Sequence, residues 1–251
     1  MTALFAAVTI IALACGSVAG PGEPQQPPKR LLYLTHTAGF RHDVLPLSHT
    51  IVRSLADSSR GAFEVTLTED CRTISAAGLR GYDAVLFYTT GELPMDDAQK
   101  RALLDFVRVG KGFAGVHSAT DTFYQWPEYG DMIGGYFDGH PWHEEVIVRV
   151  DGPRHSSTAH LPASFTITDE IYQFRNWSRD RVQVLLRLDP ASVDLNAPGV
   201  KRTDRDFALA WTRSYGAGRV FYTALGHRAE VWNDERFQRH LLGGLQWVMG
   251  L

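Results

Sequence analysis

Histidine and carboxylate side chains concentrate in a few short stretches of this sequence, and these stretches are its first indication of chemistry. The clearest stretch is 117–121, which begins with His117 and ends with Asp121. An imidazole titrates near about pH 6.5, so it can act as a general base or acid, and a neighbouring carboxylate can orient the ring and raise its basicity. The sequence therefore predicts acid–base chemistry with His117 as the main group and Asp121 as its partner.

The segment 117–143 surrounds this pair with an unusual density of rings and acids. It contains seven aromatic residues, three of the ten histidines and four acids, and it has no lysine or arginine. Sugar C–H faces lie on aromatic rings and carboxylates accept hydrogen bonds from hydroxyls, so this composition suits a neutral polyhydroxylated ligand. Tyr124 and Trp126 are the candidate ligand-binding rings, and Arg41 from an earlier loop is a candidate cation. The alternatives are that the rings pack beneath a long loop and that Arg41 pairs with a carboxylate.

The elements that must position these residues alternate between strand and helix. Continuous apolar runs predict strands at 31–35, 63–68, 84–88 and 113–116, with helices at 46–57 and after Asp96, where Gln99 completes a capping box. The second half predicts strands at 146–150, 182–188, 208–212 and 220–224, the middle two as antiparallel edge additions, before a closing helix. This order predicts an α/β three-layer sandwich with a mostly parallel sheet. In such sheets ligands bind beyond the carboxyl ends of the strands, so the polar loops should share one pocket.

Composition excludes several other classes of protein. The 251 residues carry a formal charge of -3, 44% of them are hydrophobic, and only two are cysteines. A near-neutral charge gives no basic surface for nucleic acid or an anionic membrane. Two cysteines exclude a disulfide scaffold, and the apolar fraction excludes a disordered chain. A small-molecule ligand remains.

The N-terminal segment differs from the rest of the chain. Residues 1–20 are uncharged and 4–14 are apolar apart from Thr9, which predicts a signal peptide at 1–19 and cleavage after Ala19. A proline-rich linker at 20–29 and one domain at 30–251 follow, with no membrane span in the mature chain. We therefore expect export to the periplasm or the exterior. Lipid attachment at Cys15 is disfavoured because the preceding leucine is one place too late, and an uncleaved apolar anchor is the other alternative.

Five motifs, in order, give the chain a family resemblance. They are 37–43 (TAGFRHD), 115–122 (GVHSATDT), 139–141 (GHP), 168–170 (TDE) with Tyr172, and 218–227 (GRVFYTALGH). Together they resemble the ThuA-like (trehalose utilisation) family. The resemblance implies a flavodoxin-like fold related to class I glutamine amidotransferases, and a link to trehalose or other disaccharide metabolism.

The relationship to amidotransferases can be tested on one residue. Those enzymes carry a nucleophilic cysteine in a Gly-x-Cys-x-Gly turn after a strand, and His117 stands at that place in the segment 115–119. Without a thiolate there, glutamine hydrolysis through a thioester is not available. The sequence therefore predicts a different chemistry on a related fold.

The resemblance also extends the set of site residues. His42, His140, Glu170, Tyr172 and His227 match family motif positions. With His117 and Asp121, Glu170 completes the catalytic candidates, and the substrate-binding candidates are Arg41, His42, Tyr124, Trp126, His140, Tyr172 and His227. A divalent metal such as zinc is a candidate cofactor, with His42, His117, His140 and His227 as candidate ligands, although no short ligand motif is present.

Three hypotheses on function follow. The first is an exported enzyme that acts on a sugar or an oxidised disaccharide derivative by histidine and carboxylate chemistry, with hydrolysis, isomerisation and elimination all open. The second is a non-catalytic carbohydrate-binding protein on an enzyme fold. The third is a metal-dependent hydrolase of other small molecules. The sequence predicts a small carbohydrate ligand and no nucleic-acid partner, and it leaves the oligomeric state open.

Overall fold

A computed structural model describes residues 27–251, so the signal peptide expected at 1–19 and the first part of the expected linker lie outside the described residues. Eleven strands are present in this part of the chain. They are β1 (Lys29–Leu34), β2 (Phe63–Thr68), β3 (Ala84–Phe87), β4 (Gly112–Val116), β5 (Tyr136–Phe137), β6 (Trp142–Val150), β7 (Ser164–Ile171), β8 (Phe174–Arg175), β9 (Gln183–Leu188), β10 (Ala208–Tyr215) and β11 (Gly218–Thr223). Nine of them form one sheet in the order β2-β1-β3-β4-β11-β10-β9-β6-β7, and β5 pairs with β8 separately.

One half of the large sheet is parallel. The pairs β1–β2, β1–β3, β3–β4 and β4–β11 all run in the same direction. The strands β3 and β4 are buried throughout their length, as is β1 from Leu31 to Leu34. Burial on both faces explains why these strands are continuous apolar runs in the sequence. The predicted α/β fold class is confirmed.

The other half of the sheet is antiparallel and larger than the sequence predicted. The strands β9 and β10 correspond to the two predicted edge additions, and β6 contains the strand predicted at 146–150. These strands pair antiparallel, and β7 extends the sheet beyond them. The strand β7 was missed, although Phe165 and Ile167 alternate with Ser164, Thr166 and Thr168 as in a half-buried strand. The strand at this edge of the sheet is therefore β7, which carries the 168–170 motif.

Helices cover both faces of the sheet. They are α1 (Leu45–Ser58), α2 (Asp97–Arg108), α3 (Pro127–Ile133), α4 (Ala229–Asn233) and α5 (Glu235–Met249). Helices α1, α4 and α5 contact one another, as do α2 and α3, which gives two outer layers around the sheet. The predicted capping box is present, because the Asp96 carboxylate accepts from the Gln99 backbone at 2.8 Å and the Gln99 side chain accepts from the Asp96 backbone. Within residues 27–251, no helix is both long and apolar enough to cross a bilayer.

One buried histidine in α5 makes the stability of the fold depend on pH. His240 is fully buried, its Nδ1 bonds to the Ser157 carbonyl oxygen at 3.0 Å, and burial lowers its pKa to about 3. In the unfolded chain a histidine binds a proton with a pKa of about 6.5. The stability that the neutral ring contributes is therefore complete above pH 6.5 and is lost as the pH falls toward 3.

We expect His240→Gln to flatten the acid side of the stability profile. Between pH 7.5 and pH 5.0, the wild-type chain should lose about 2 kcal/mol of unfolding free energy through His240 alone, and the variant should not. Urea unfolding at both pH values measures this difference. Because each protein is compared with itself, a uniform destabilisation by the substitution does not affect the result. Equal pH slopes for the two proteins would contradict the prediction.

Candidate functional site

Four side chains from separate parts of the chain converge at the carboxyl ends of the parallel strands. His42 lies in the loop before α1, His117 directly follows β4, Glu170 is in β7, and His227 follows β11. One donor atom from each of them lies within 4.8 Å of the others. This placement agrees with the rule for open α/β sheets, where ligands bind beyond the ends of the strands.

His117 is held in one orientation by its backbone and by one ring nitrogen. Its φ is +46°, an uncommon conformation for a residue other than glycine, and its carbonyl accepts a hydrogen bond from the Tyr222 hydroxyl at 2.6 Å. Its Nδ1 is 2.7 Å from the Ala224 carbonyl oxygen. Because a carbonyl only accepts, Nδ1 carries the proton, and in the neutral ring the Nε2 lone pair faces the cluster and the Tyr172 hydroxyl, 2.9 Å away.

The loop that carries His227 is held by Asp169. Gly226, whose φ of +125° favours glycine, donates from its backbone to Asp169 at 2.7 Å, and the backbone of Arg228 donates to the same carboxylate at 3.2 Å. The Gly226 carbonyl in turn accepts from the Tyr88 hydroxyl at 2.8 Å. Asp169 is thus a positioning residue, which the sequence analysis placed in a motif but not in the site. Its signal in the sequence is its place in the 168–170 motif, beside Glu170.

The donor atoms are spaced as the ligands of a tetrahedral metal ion are. Glu170 Oε2 lies 3.4 Å from His117 Nε2 and 3.3 Å from His227 Nδ1, and these two nitrogens are 3.3 Å apart. Ligands at about 2.0–2.1 Å from a tetrahedral zinc ion lie about 3.3–3.4 Å from one another. The three atoms therefore outline one face of a tetrahedron, and His42 is available as a fourth ligand.

The charge states of the cluster also suit a divalent cation. Burial penalises the charge on Glu170, but the proximity of its carboxylate to the His117 and His227 rings outweighs this penalty and holds the pKa of Glu170 well below its usual range. Burial and the two neighbouring rings lower the pKa of His42 to about 3, so this ring is neutral and keeps a lone pair. The hydrogen bond to Glu170 raises the pKa of His227, so a metal ion would displace a proton there.

A cavity of about 470 Å³ opens beside the cluster, and we call it the site cavity. Its lining residues are Phe40, His42, Asp121, Phe137, His140, Glu170, Tyr172 and His227. Burial raises the pKa of Asp121, although a 2.6 Å hydrogen bond from the Tyr124 hydroxyl partly opposes the shift. The Tyr172 hydroxyl lies 2.9 Å from His117 Nε2. The cavity thus combines rings, carboxylates and a hydroxyl around the histidine cluster.

Most of the site residues expected from the sequence converge here. His42, Asp121, His140, Glu170, Tyr172 and His227 line the cavity, and His117 lies behind them, fully buried. The metal-ligand set differs from the expected one, because Glu170 joins the cluster in place of His140. The side chain of His140 is 45% exposed and reaches only the outer oxygen of Glu170, at 3.5 Å.

Three of the expected substrate-binding residues do not line the site cavity. Arg41 forms an ion pair with Glu69 at 3.0 Å, which is the alternative that the sequence left open for it. The Tyr124 hydroxyl donates a hydrogen bond to the Asp121 carboxylate instead. Trp126 packs against Phe123 and Tyr129 at the start of α3 and borders a different surface depression, beside Lys100.

We expect the cluster to bind one divalent ion. Loss of a cluster residue should weaken metal binding more than loss of His140, which lies outside the cluster. We expect His117→Ala and Glu170→Gln to weaken zinc binding by more than the roughly 10–100-fold loss typical of groups that only orient a ligand. His140→Ala is the matched control and should change the affinity little. Competition titration with a zinc indicator measures all three. Unchanged affinity in both inner variants would show that the cluster does not hold the metal.

Comparisons with known proteins agree with this fold. A family model described as trehalose utilisation (ThuA) matches residues 30–248. Among solved structures, a ThuA-like protein from Bacteroides uniformis ATCC 8492 is 26% identical over 92% of this chain and 95% of that one, with a TM-score of 0.75. A ThuA-like protein from Parabacteroides merdae ATCC 43184 is 21% identical over 88% and 90% of the two chains, with a TM-score of 0.66, and shows the fold alone. A comparison with curated proteins found no match.

Proposed function

The chain belongs to the ThuA (trehalose utilisation) family, and we propose that it is an enzyme acting on a sugar or an oxidised disaccharide derivative at a divalent metal ion. The observation that carries the proposal is the convergence of His42, His117, Glu170 and His227, with three of the donor atoms at the spacing of tetrahedral ligands. The same cluster borders a cavity large enough for a small ligand.

The lining of the site cavity supports a neutral polyhydroxylated ligand. None of the eight residues that line it is a lysine or an arginine, so no such side chain is placed to pair with an anionic group of the substrate. Phe137 and Tyr172 present two rings with centroids 4.3 Å apart, and Asp121 and His140 supply polar groups. Rings with carboxylates and a hydroxyl match the alternating C–H faces and hydroxyls of a sugar.

Two carboxyl groups of the cavity have different roles because their environments shift their pKa values in opposite directions. The neighbouring His117 and His227 rings keep the pKa of Glu170 low despite its burial, so it stays ionised and faces the cluster. Burial raises the pKa of Asp121, so this group can exchange a proton closer to neutral pH. Such divergence is the usual basis of acid and base assignments. Asp121 is therefore the proton-transfer group, and Glu170 is a ligand.

The remaining groups bind and orient the substrate. A bound divalent ion would act as a Lewis acid on a substrate oxygen. Burial holds the pKa of Tyr172 well above its usual range, so its hydroxyl stays protonated and serves as a hydrogen-bond donor at the cavity wall. The His117 Nδ1 bond to the Ala224 carbonyl fixes the ring that faces the cluster, as the partners of metal-binding histidines usually do.

Amidotransferase chemistry finds no support at the turn after β4. His117 occupies the position where an amidotransferase would carry its nucleophilic cysteine. Its positive φ produces a sharp turn between β4 and the next segment, as at a nucleophile elbow. The described chain has one cysteine, Cys71, which is buried and whose thiol has a pKa raised to about 11 by that burial. A thiol in this state is not a nucleophile at neutral pH.

Turnover should depend on the cluster and on Asp121. With zinc-loaded protein, trehalose and its keto derivative as substrates, and products followed by NMR, we expect Asp121→Asn to lower kcat by about 10²–10⁴-fold, as for loss of an acid–base group. His117→Ala should abolish turnover together with metal binding, and His160→Ala, a histidine outside the cluster, should leave turnover unchanged. Sugar binding without any turnover, weakened by His117→Ala, would instead support the non-catalytic carbohydrate-binding protein.

The composition of residues 1–19 supports the further proposal that the chain is exported to the periplasm or the exterior. The stretch 4–14 has the apolar character of a signal peptide, and 17–19 offers the small residues that a signal peptidase needs. We expect the secreted protein to begin at Gly20, which intact mass measurement checks. A lipid-modified Cys15 at the N-terminus, or an uncleaved chain, would contradict this proposal.

A further inference from the structure

A cavity of about 320 Å³ lies between α5 and the loop that joins β6 to β7, and we call it the arginine cavity. Its lining residues are Arg154, Ser156, Ala159, His160, Arg239, Leu242, Gly243 and Gln246. The last four lie on one face of α5, because residues three, four and seven positions apart share a helix face. The volume falls within the range of about 300–1,000 Å³ that is usual for small-molecule sites.

The arginine cavity lies outside the site described above. The loop that lines it ends where β7 begins at Ser164, and Glu170 is near the other end of that strand. An extended strand of this length separates the two residues by about 20 Å. The lining residues of the arginine cavity include no member of the histidine cluster and none of the site cavity. A ligand bound there is therefore independent of the proposed function.

The lining of the arginine cavity is positively charged. Arg154 and Arg239 contribute two guanidinium groups, and none of the eight lining residues is an aspartate or a glutamate. The site cavity, by contrast, contains Asp121 and Glu170 and neither lysine nor arginine. Two arginines without a carboxylate between them attract an anion.

Both guanidinium groups are available to a ligand. Arg154 is exposed, and its side chain makes no ion pair or hydrogen bond with any of the residues 27–251. Arg239 lies 3.9 Å from Glu235, and both of these side chains are more than half exposed. Exposed pairs of this kind contribute little to stability, so an anion in the cavity can take the place of Glu235.

The loop is held firmly against α5, which fixes the shape of the cavity. The Ser156 hydroxyl donates to the Gly243 carbonyl at 3.0 Å, and His160 Nε2 donates to the Arg236 carbonyl at 2.9 Å. A side chain at position 243 would come within 2.6 Å of the Ser156 backbone, so glycine is what permits this close approach. A cavity that is formed before the ligand arrives loses little conformational entropy on binding.

The remaining wall of the cavity is uncharged. Ala159 and Leu242 supply apolar surface, and the carboxamide of Gln246 can donate a hydrogen bond. A free inorganic anion would leave this apolar surface unused. A small ester that joins an anionic group to an organic part uses both kinds of surface.

We propose that the arginine cavity binds the phosphate group of a small phosphate monoester. A phosphate monoester carries about 1.5–2 negative charges at neutral pH, which two guanidinium groups balance and which a single carboxylate does not supply. Arg154 from the loop and Arg239 from α5 each present a planar fork that matches two phosphate oxygens. Gln246 donates a further hydrogen bond, and Leu242 packs against the organic part.

Calorimetry on the full chain, with inorganic phosphate and glycerol 3-phosphate as probes at constant ionic strength, tests the inference. We expect both probes to bind, and the ester to bind at least about threefold more tightly because its organic part buries apolar surface. Arg154→Gln and Arg239→Gln should each weaken both probes by at least about tenfold, because each removes hydrogen bonds to a charged group. Gln246→Glu, which places a carboxylate in the cavity, should abolish binding.

Arg53→Gln is the matched control for the arginine variants. Arg53 is an exposed arginine of α1 that, like Arg154, has no ion pair within the described part of the chain. This substitution should leave the affinity for both probes unchanged. Glu170→Gln, which alters the histidine cluster, should also leave phosphate binding unchanged. Circular dichroism on each variant checks that it is folded.

Three results would contradict the proposal. If neither probe binds, or if Arg53→Gln weakens binding as much as Arg154→Gln does, the cavity holds no specific anion. If Glu170→Gln abolishes binding and Arg154→Gln does not, the phosphate is bound at the histidine cluster instead. Equal affinity for the two probes would overturn the assignment to an ester and leave a site for free phosphate.

Discussion

The site depends on two hydrogen bonds that the Asp169 carboxylate accepts from the backbone of Gly226 and Arg228. They hold the edge of the antiparallel half of the sheet against the loop after β11. Asp169 lies in β7, the last strand of the sheet, and β7 is four strands away from β11, which precedes Gly226. In a flat sheet four strand spacings would separate them by about 19 Å. The observed 2.7 Å bond shows that the antiparallel half curls back over the ends of the parallel strands. Glu170 reaches His117 and His227 only because of this closure.

The curling of the antiparallel half removes several ionisable side chains from water, which raises the free energy of their charged forms. Asp169 is fully buried, and its pKa is raised by that burial even though two backbone N–H groups donate to it. An ionisable group that is removed from water without partners costs several kcal/mol, and satisfied hydrogen bonds offset part of this cost. The same holds for the cluster, where three imidazoles and a carboxylate face one another. A divalent cation at their centre would satisfy all four groups.

The turn after β4 combines a strained backbone with a fixed imidazole ring. His117 retains the positive φ of a sharp turn, and the hydroxyl of Tyr222 and the carbonyl of Ala224 fix its main chain and its ring. Backbone strain of this kind persists only where the surrounding structure enforces it, and it is common at functional sites. A histidine in this turn presents a fixed lone pair where a thiol would present a nucleophile. In the proposed function, this fixed lone pair is what lets the family fold hold a metal ion in this chain.

The sequence by itself determined the parallel half of the fold and the loops that carry the chemistry. Continuous apolar runs at β1, β3 and β4, and the capping box at Asp96, are local signals that depend on nearby residues. The position of His117, Asp121 and His227 at strand ends followed from those elements. Only the tertiary structure decided that Glu170 joins the cluster in place of His140 and that Trp126 packs elsewhere. These outcomes depend on how far the antiparallel half curls. That curl is a sum of small twists over several strands, and no short stretch of sequence specifies it.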